Sequence, residues 1–212
     1  MTPRWRGLRA AGHAIGESRV IDLASTPSGK GYWILDSAGG IFSFGDATFY
    51  GSIPGLRAKG HRIGPADVIA LAATPSGNGY WILDSAGGMF AFGDASFYGS
   101  IPGLRAAGHQ IGAAKIETMA PTASGRGYWI LDSAGGMFAF GDAKYLGSVP
   151  ALRAEGKAGS LPVIAMAPTG SGKGYWVVDA AGGIYTFGDA RYHGSLPALG
   201  VTSGAVAIAP KV

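Results

Sequence analysis

Gly31-Tyr32-Trp33-Ile34-Leu35-Asp36-Ser37-Ala38-Gly39-Gly40 is the stretch that decides the fold, because the chain writes it four times. It returns unchanged from Gly79 and from Gly127, and with small changes from Gly174. Each copy runs on through an aromatic stretch into Gly-Asp-Ala, at Gly45, Gly93, Gly141 and Gly188. The tryptophans Trp33, Trp81, Trp129 and Trp176 are 48, 48 and 47 residues apart. A fixed period of this size marks a repeat architecture, in which one unit cannot bury its own faces and stacks on its neighbours. Any site is then expected to recur, which argues against a single asymmetric catalytic centre.

Within a repeat, turn chemistry separates short apolar runs. Val68-Ile69-Ala70-Leu71-Ala72 is followed by Thr74-Pro75-Ser76-Gly77-Asn78-Gly79, then by Tyr80-Trp81-Ile82-Leu83. Asp84-Ser85-Ala86-Gly87-Gly88 ends that run, and Met89-Phe90-Ala91-Phe92 follows. Gly93-Asp94-Ala95 turns into Ser96-Phe97-Tyr98-Gly99, which reads as a fourth strand. Connections this short predict an antiparallel meander. Alternation puts Tyr80 and Ile82 on one face and Trp81 and Leu83 on the other, so both faces are apolar. Four-stranded sheets covered on both faces and repeated about an axis describe propeller blades. The first strand has the smallest side chains (Val20 to Ala24, Val68 to Ala72, Ile116 to Ala120, Val163 to Ala167) and is placed innermost, where blades crowd. The expected fold is therefore all-β, a β-propeller of four-stranded antiparallel blades of about 48 residues.

The composition agrees. The 212 residues suffice for one well-buried domain, and 38 glycines and 12 prolines suit short strands and tight turns. Helical periodicity of useful length is absent. There is no cysteine, which excludes a disulfide framework and a thiolate site. A net charge of +4 without a basic cluster makes nucleic acid an unsuitable partner. No signal peptide or membrane span is visible in the sequence.

The pattern Gly-Tyr-Trp-Ile-Leu-Asp-Ser-Ala-Gly-Gly-x-Phe-x-Phe-Gly-Asp-Ala resembles the glycine- and aromatic-rich repeats of many actinobacterial secreted and cell-surface proteins, often found beside cell-wall hydrolase domains. The resemblance spans about residues 20 to 210. It implies a β-propeller and an extracellular or cell-surface location. It brings no agreed activity and no catalytic residues.

In phase, the whole chain reads as one repeat domain with units 7–54, 55–102, 103–150 and 151–197 and a partial unit 198–212. The partial unit holds Ala205-Val206-Ala207-Ile208-Ala209-Pro210, which matches Val163 to Pro168. Four full repeats thus carry one extra inner strand. An unpaired strand exposes backbone donors and acceptors. Self-association is expected from it, or membership of a larger propeller.

Candidate ligand-binding residues recur with the repeat. Trp33, Trp81, Trp129 and Trp176 suit either stacking on sugar rings or packing between blades. Tyr50 and Tyr98, with Tyr192, look more exposed. Asp46, Asp94, Asp142 and Asp189 of the Gly-Asp-Ala turns suit a cation or sugar hydroxyl, or else lock their own turn. Asp36, Asp84, Asp132 and Asp179 are expected to lock the turn on the opposite rim. Arg57 and Arg105, with Arg9 and Arg153, recur in the Gly-Leu-Arg-Ala linker (Ala-Leu-Arg-Ala in the fourth case) and would ring that rim with cations. His13, His61 and His109 follow them, with Lys157 in the fourth place. Glu117 and Thr118, standing where Ile69 and Ala70 do, point to an exposed face on the third repeat. No catalytic residues, cofactor or metal site are expected, because no nucleophile elbow, phosphate loop or metal-binding spacing is present. The sequence leads to a non-catalytic propeller binding module for a cell-envelope glycan or cell-wall polymer. The alternative is a structural module that oligomerises through its blades.

Overall fold

A computed structural model describes residues 18–202 and 204–208. Arg9 and His13, with their linker, and Ala209 and Pro210 lie outside these residues.

Four three-stranded antiparallel sheets follow one another along the chain. The first contains β1 (Val20–Ser25), β2 (Tyr32–Asp36) and β3 (Ile41–Phe44). The second contains β4 (Val68–Ala73), β5 (Gly79–Asp84) and β6 (Met89–Gly93). The third contains β7 (Ile116–Pro121), β8 (Gly127–Asp132) and β9 (Met137–Gly141). The fourth contains β10 (Val163–Pro168), β11 (Gly174–Asp179) and β12 (Ile184–Gly188). In each the tryptophan strand is central, so Trp81 lies opposite Ala72 on one side and Ala91 on the other. The small partners leave room for the indole.

β1, β4, β7 and β10 approach one another in sequence, as inner strands must. The Asp22 carboxylate of β1 accepts from the Leu71 amide of β4 at 2.8 Å. Each inner strand carries a bulge one residue from its start, at Ile21, Ile69, Glu117 and Ile164. Glu117 is thus the extra residue of a bulge and pairs with Lys115 at 3.0 Å. Ile116 and Met119 stay buried against the preceding sheet. The third repeat therefore packs like its neighbours and does not present the exposed face expected from Glu117 and Thr118.

The blades have three strands, not four. The segments after Gly-Asp-Ala pair with no strand, and side chains take several of their backbone groups instead. The Trp81 indole N–H donates to the Ser96 carbonyl at 2.9 Å, and Trp33, Trp129 and Trp176 do the same to Thr48, Lys144 and Arg191. Instead of continuing as strand, the chain turns into short helices: α1 (Ile53–Ala58), α2 (Ile101–Ala106) and α3 (Val149–Ala154). Proline in the first turn sets the backbone for helix, and Ser52 and Ser100 cap the Gly55 and Gly103 amides. These six-residue helices stand in the linker, to which the sequence reading assigns no secondary structure.

Three cores lie between consecutive sheets. Trp33 and Leu35 meet Tyr80 and Ile82 in the first. Trp81 and Leu83 meet Tyr128 and Ile130 in the second. Trp129 and Leu131 meet Tyr175 and Val177 in the third. Among the described residues there is no fourth core joining the last sheet to the first, and the sheets do not close on one another. The expected fifth inner strand is only begun. The Ala205 amide donates to the Ala180 carbonyl at 3.1 Å, as Val163 does to Ser133 at 2.9 Å, but no strand pairs with Ala205–Ile208.

Candidate functional site

The Gly-Asp-Ala aspartates sit on the rim of the first turn. Thr74 Oγ1 donates to Asp94 Oδ1 at 2.9 Å and Ser76 Oγ donates to Asp94 Oδ2 at 2.6 Å. Ser76 Oγ in turn accepts from the Asn78 amide at 3.1 Å. Asp46, Asp142 and Asp189 are clasped by Thr26 and Ser28, Thr122 and Ser124, and Thr169 and Ser171. Their hydroxyl partners hold Asp46, Asp142 and Asp189 below the usual carboxylate range, Ser28, Ser124 and Ser171 foremost. The carboxylate therefore ties two turns together, across 18 and 20 residues, rather than its own turn. Gly79 is obligatory beside it, because a Cβ there would run into the Phe92 carbonyl.

On the opposite rim, Asp84 Oδ1 accepts from the amides of Ala86 at 3.0 Å and Gly88 at 2.7 Å. Asp36 and Asp179 repeat both bonds, and Asp132 accepts from Gly136. Burial pushes Asp84 and Asp132 up in spite of these amides. The helices dock on this turn: the Ile101 amide donates to the Gly87 carbonyl at 3.0 Å, and Gly87 has φ +80°.

Three of the four repeat tryptophans are enclosed. Trp33, Trp81 and Trp129 are fully buried between sheets, with no indole face open to a sugar ring, and Trp176 of the last sheet is half-buried. Tyr50 and Tyr98 are partly buried at the blade junctions, where the Tyr98 hydroxyl points to the Gly125 carbonyl at 3.3 Å. Sequence reasoning missed what Tyr80, Tyr128 and Tyr175 do. Tyr128 Oη accepts from the Tyr98 and Gly99 amides, each at 3.1 Å, and donates to the Gly99 carbonyl at 2.6 Å. Tyr80 and Tyr175 clasp the preceding repeat similarly, accepting from the Tyr50 and Leu146 amides and donating to the Gly51 and Gly147 carbonyls. Burial pushes the phenols of Tyr80 and Tyr175 up to about 12, and that of Tyr128 up as well.

Two of the linker arginines serve carbonyls. Arg153 donates to Gly159 at 2.6 Å, to Ala134 at 2.7 Å and to Leu161. Arg105 donates to Gly112 at 3.2 Å. Arg57 is exposed beside a cavity of about 100 Å³ lined also by Ser37, Asp67 and Phe90. His61 and His109 are exposed on separate repeats, and Lys157 pairs with Glu155 at 2.8 Å. Among the described residues no three His, Asp or Glu side chains converge.

Two surfaces remain uncommitted. One is a ring position shared by Phe49, Phe97, Tyr145 and Tyr192, which are 56%, 60%, 58% and 55% exposed. Its signal in the sequence was the aromatic three residues after each Gly-Asp-Ala aspartate. The other is the pair of end faces. Val20, Leu23 and Tyr32 of the first sheet are 50%, 53% and 39% exposed, whereas their counterparts Val68, Leu71 and Tyr80 are 7%, 6% and 0% exposed. At the other end Trp176, Ile184 and Leu196 are only half-buried. Their counterparts Trp81, Met89 and Ile101 are buried.

No family model and no curated protein matches the sequence. In structure the chain is similar to the β-propeller domain of Cps50 (Swd1) from Myceliophteria thermophila, with a TM-score of 0.52 at 13% identity. The match covers 83% of this chain and 53% of that one, so the chain spans about half the length of that domain. No helix among the described residues is long and apolar enough to cross a membrane. The likeness, with the four stacked three-stranded sheets, shows a propeller-type all-β fold.

Proposed function

We propose that this chain is a non-catalytic propeller module whose function is assembly through its blades. One observation carries the reading. Several side chains of the kinds buried at all three internal blade junctions are exposed or half-buried at the two ends, Val20, Leu23 and Tyr32 at the first sheet and Trp176, Ile184 and Leu196 at the last. The repeated polar groups are meanwhile largely engaged within the chain, the aspartates by hydroxyls and amides, the indoles and buried phenols by carbonyls. Exposed Val, Leu and Tyr at the first sheet and half-buried Trp, Ile and Leu at the last favour association with further blades. Light scattering over a micromolar concentration series tests this. Species heavier than the 21.5 kDa monomer are expected, and a monomer throughout would overturn the reading.

A second reading, binding of a cell-envelope glycan, is favoured by the four exposed rings at Phe49, Phe97, Tyr145 and Tyr192. Aromatic faces open to solvent suit the apolar faces of sugars. Sedimentation with insoluble cell-wall polysaccharide is expected to carry the protein down, and Phe49→Ala with Phe97→Ala to release it. No co-sedimentation would remove this reading.

A further inference from the structure

We infer that the two end faces are the two halves of one interface, and that the first blade of a second copy docks on the fourth blade head to tail. This rests on the assembly reading and names its partner. Every internal junction is built the same way. A leading face with Trp and Leu, backed by a β3-type residue and the first helix residue, receives a following face with the inner-strand apolar pair, Tyr and Ile or Val. The fourth blade ends in a leading face of half-buried Trp176, Ile184 and Leu196, with Val178 already buried. The first begins with a following face of exposed Val20, Leu23 and Tyr32, with Ile34 already buried. Among the described residues no other junction offers these halves apart.

The polar parts match as well. The Tyr128 hydroxyl closes the second junction by accepting from the Tyr98 and Gly99 amides and donating to the Gly99 carbonyl. Tyr32 holds the same position in the first blade. It makes no such clasp among the described residues and stacks on Phe44 at 5.0 Å. His193 and Gly194 hold the Tyr98 and Gly99 positions in the fourth blade. Docking would bring Tyr32 Oη onto the His193 amide and the Gly194 carbonyl.

The seat on the fourth blade is occupied in part by the chain itself. Through the hydrogen bond from the Ala205 amide to the Ala180 carbonyl, Ala205–Ile208 starts where an inner strand would. It brings no second or third strand, Val206 is 92% exposed, and a cavity of about 550 Å³ remains beside Val178, Ile184 and Leu196. An incoming β1 therefore displaces this segment. Two copies bring eight blades, within the range in which propellers close. A head-to-tail contact closes when its rotation allows, and otherwise extends.

The test uses the full chain and two charge variants. Leu23→Arg spoils only the following face and Ile184→Arg only the leading face. Each alone is expected to weaken self-association at least about tenfold. Mixed one to one, they are expected to restore a heterodimer through the one intact pair of faces, which an unfolded variant cannot do. Removal of residues 204–212 is expected to tighten association at least about tenfold by clearing the seat. Association that persists in both single variants overturns this docking and leaves the assembly reading standing. A monomer in every form, the shortened chain included, overturns both. A mixture that fails to pair, or a shortened chain that binds no tighter, also overturns the head-to-tail arrangement.

Discussion

Tyr80, Tyr128 and Tyr175 each accept an amide of the preceding repeat and donate to its glycine carbonyl. Tyr128→Phe keeps the ring and strands the Gly99 carbonyl with two amides. It is expected to cost about 1–3 kcal/mol in urea unfolding. Tyr32→Phe, at the uncovered end, is expected to leave the unfolding of the isolated monomer unchanged, and equal losses would refute the clasp. The same phenols govern alkaline stability. Folding holds protons on Tyr80 and Tyr175 up to about pH 12, while ordinary phenols in the unfolded chain release theirs near ~10. The resulting stabilisation is complete below about pH 10 and disappears as pH rises through about 12. Urea midpoints should fall across that window, and Tyr128→Phe should blunt the fall.

Each helix is six residues long, and two of the three are capped by a serine side chain. Ser100 Oγ accepts from the Gly103 amide at 3.2 Å, whereas Ser148 makes no cap bond and accepts instead from the Tyr145 hydroxyl at 3.1 Å. Ser100→Ala is therefore expected to cost about 1 kcal/mol and Ser148→Ala less, by thermal or urea unfolding. The reverse order would refute the assignment. These elements also show what the sequence can and cannot express. The period, the two rims and the alternation of Trp and Tyr faces are visible because apolar residues at period two and glycine turns are local signals. The fourth strand read from Ser96-Phe97-Tyr98-Gly99 fails because an indole fifteen residues back and a phenol about thirty ahead take its backbone groups. Neither partner is a neighbour in sequence. The Ser-Ile-Pro-Gly-Leu-Arg-Ala helices carry a cap signal, but proline and glycine within six residues hide it. For the candidate site, Asp46 and its equivalents were legible as turn residues, and Thr26 and Ser28 as their partners were not.

Across the whole molecule, stability runs through nearest neighbours. The second and third blades are covered on both faces, and the first and fourth on one, so the ends should open first. Hydrogen exchange is expected to be slower in the central strands β5 and β8 than in β2 and β11. Uniform protection across the four would show a closed ring or a tightly associated one.

The indoles of Trp33, Trp81, Trp129 and Trp176 hold only the carbonyls of residues 48, 96, 144 and 191. What hangs from those four positions is left unspecified, and the chain indeed carries Thr, Ser, Lys and Arg there. Since the chain contains no cysteine, a single thiol placed at any one of them becomes a unique chemical handle. The perimeter thereby offers four evenly spaced attachment points for labels or cargo, each in a known place on a frame that does not depend on it.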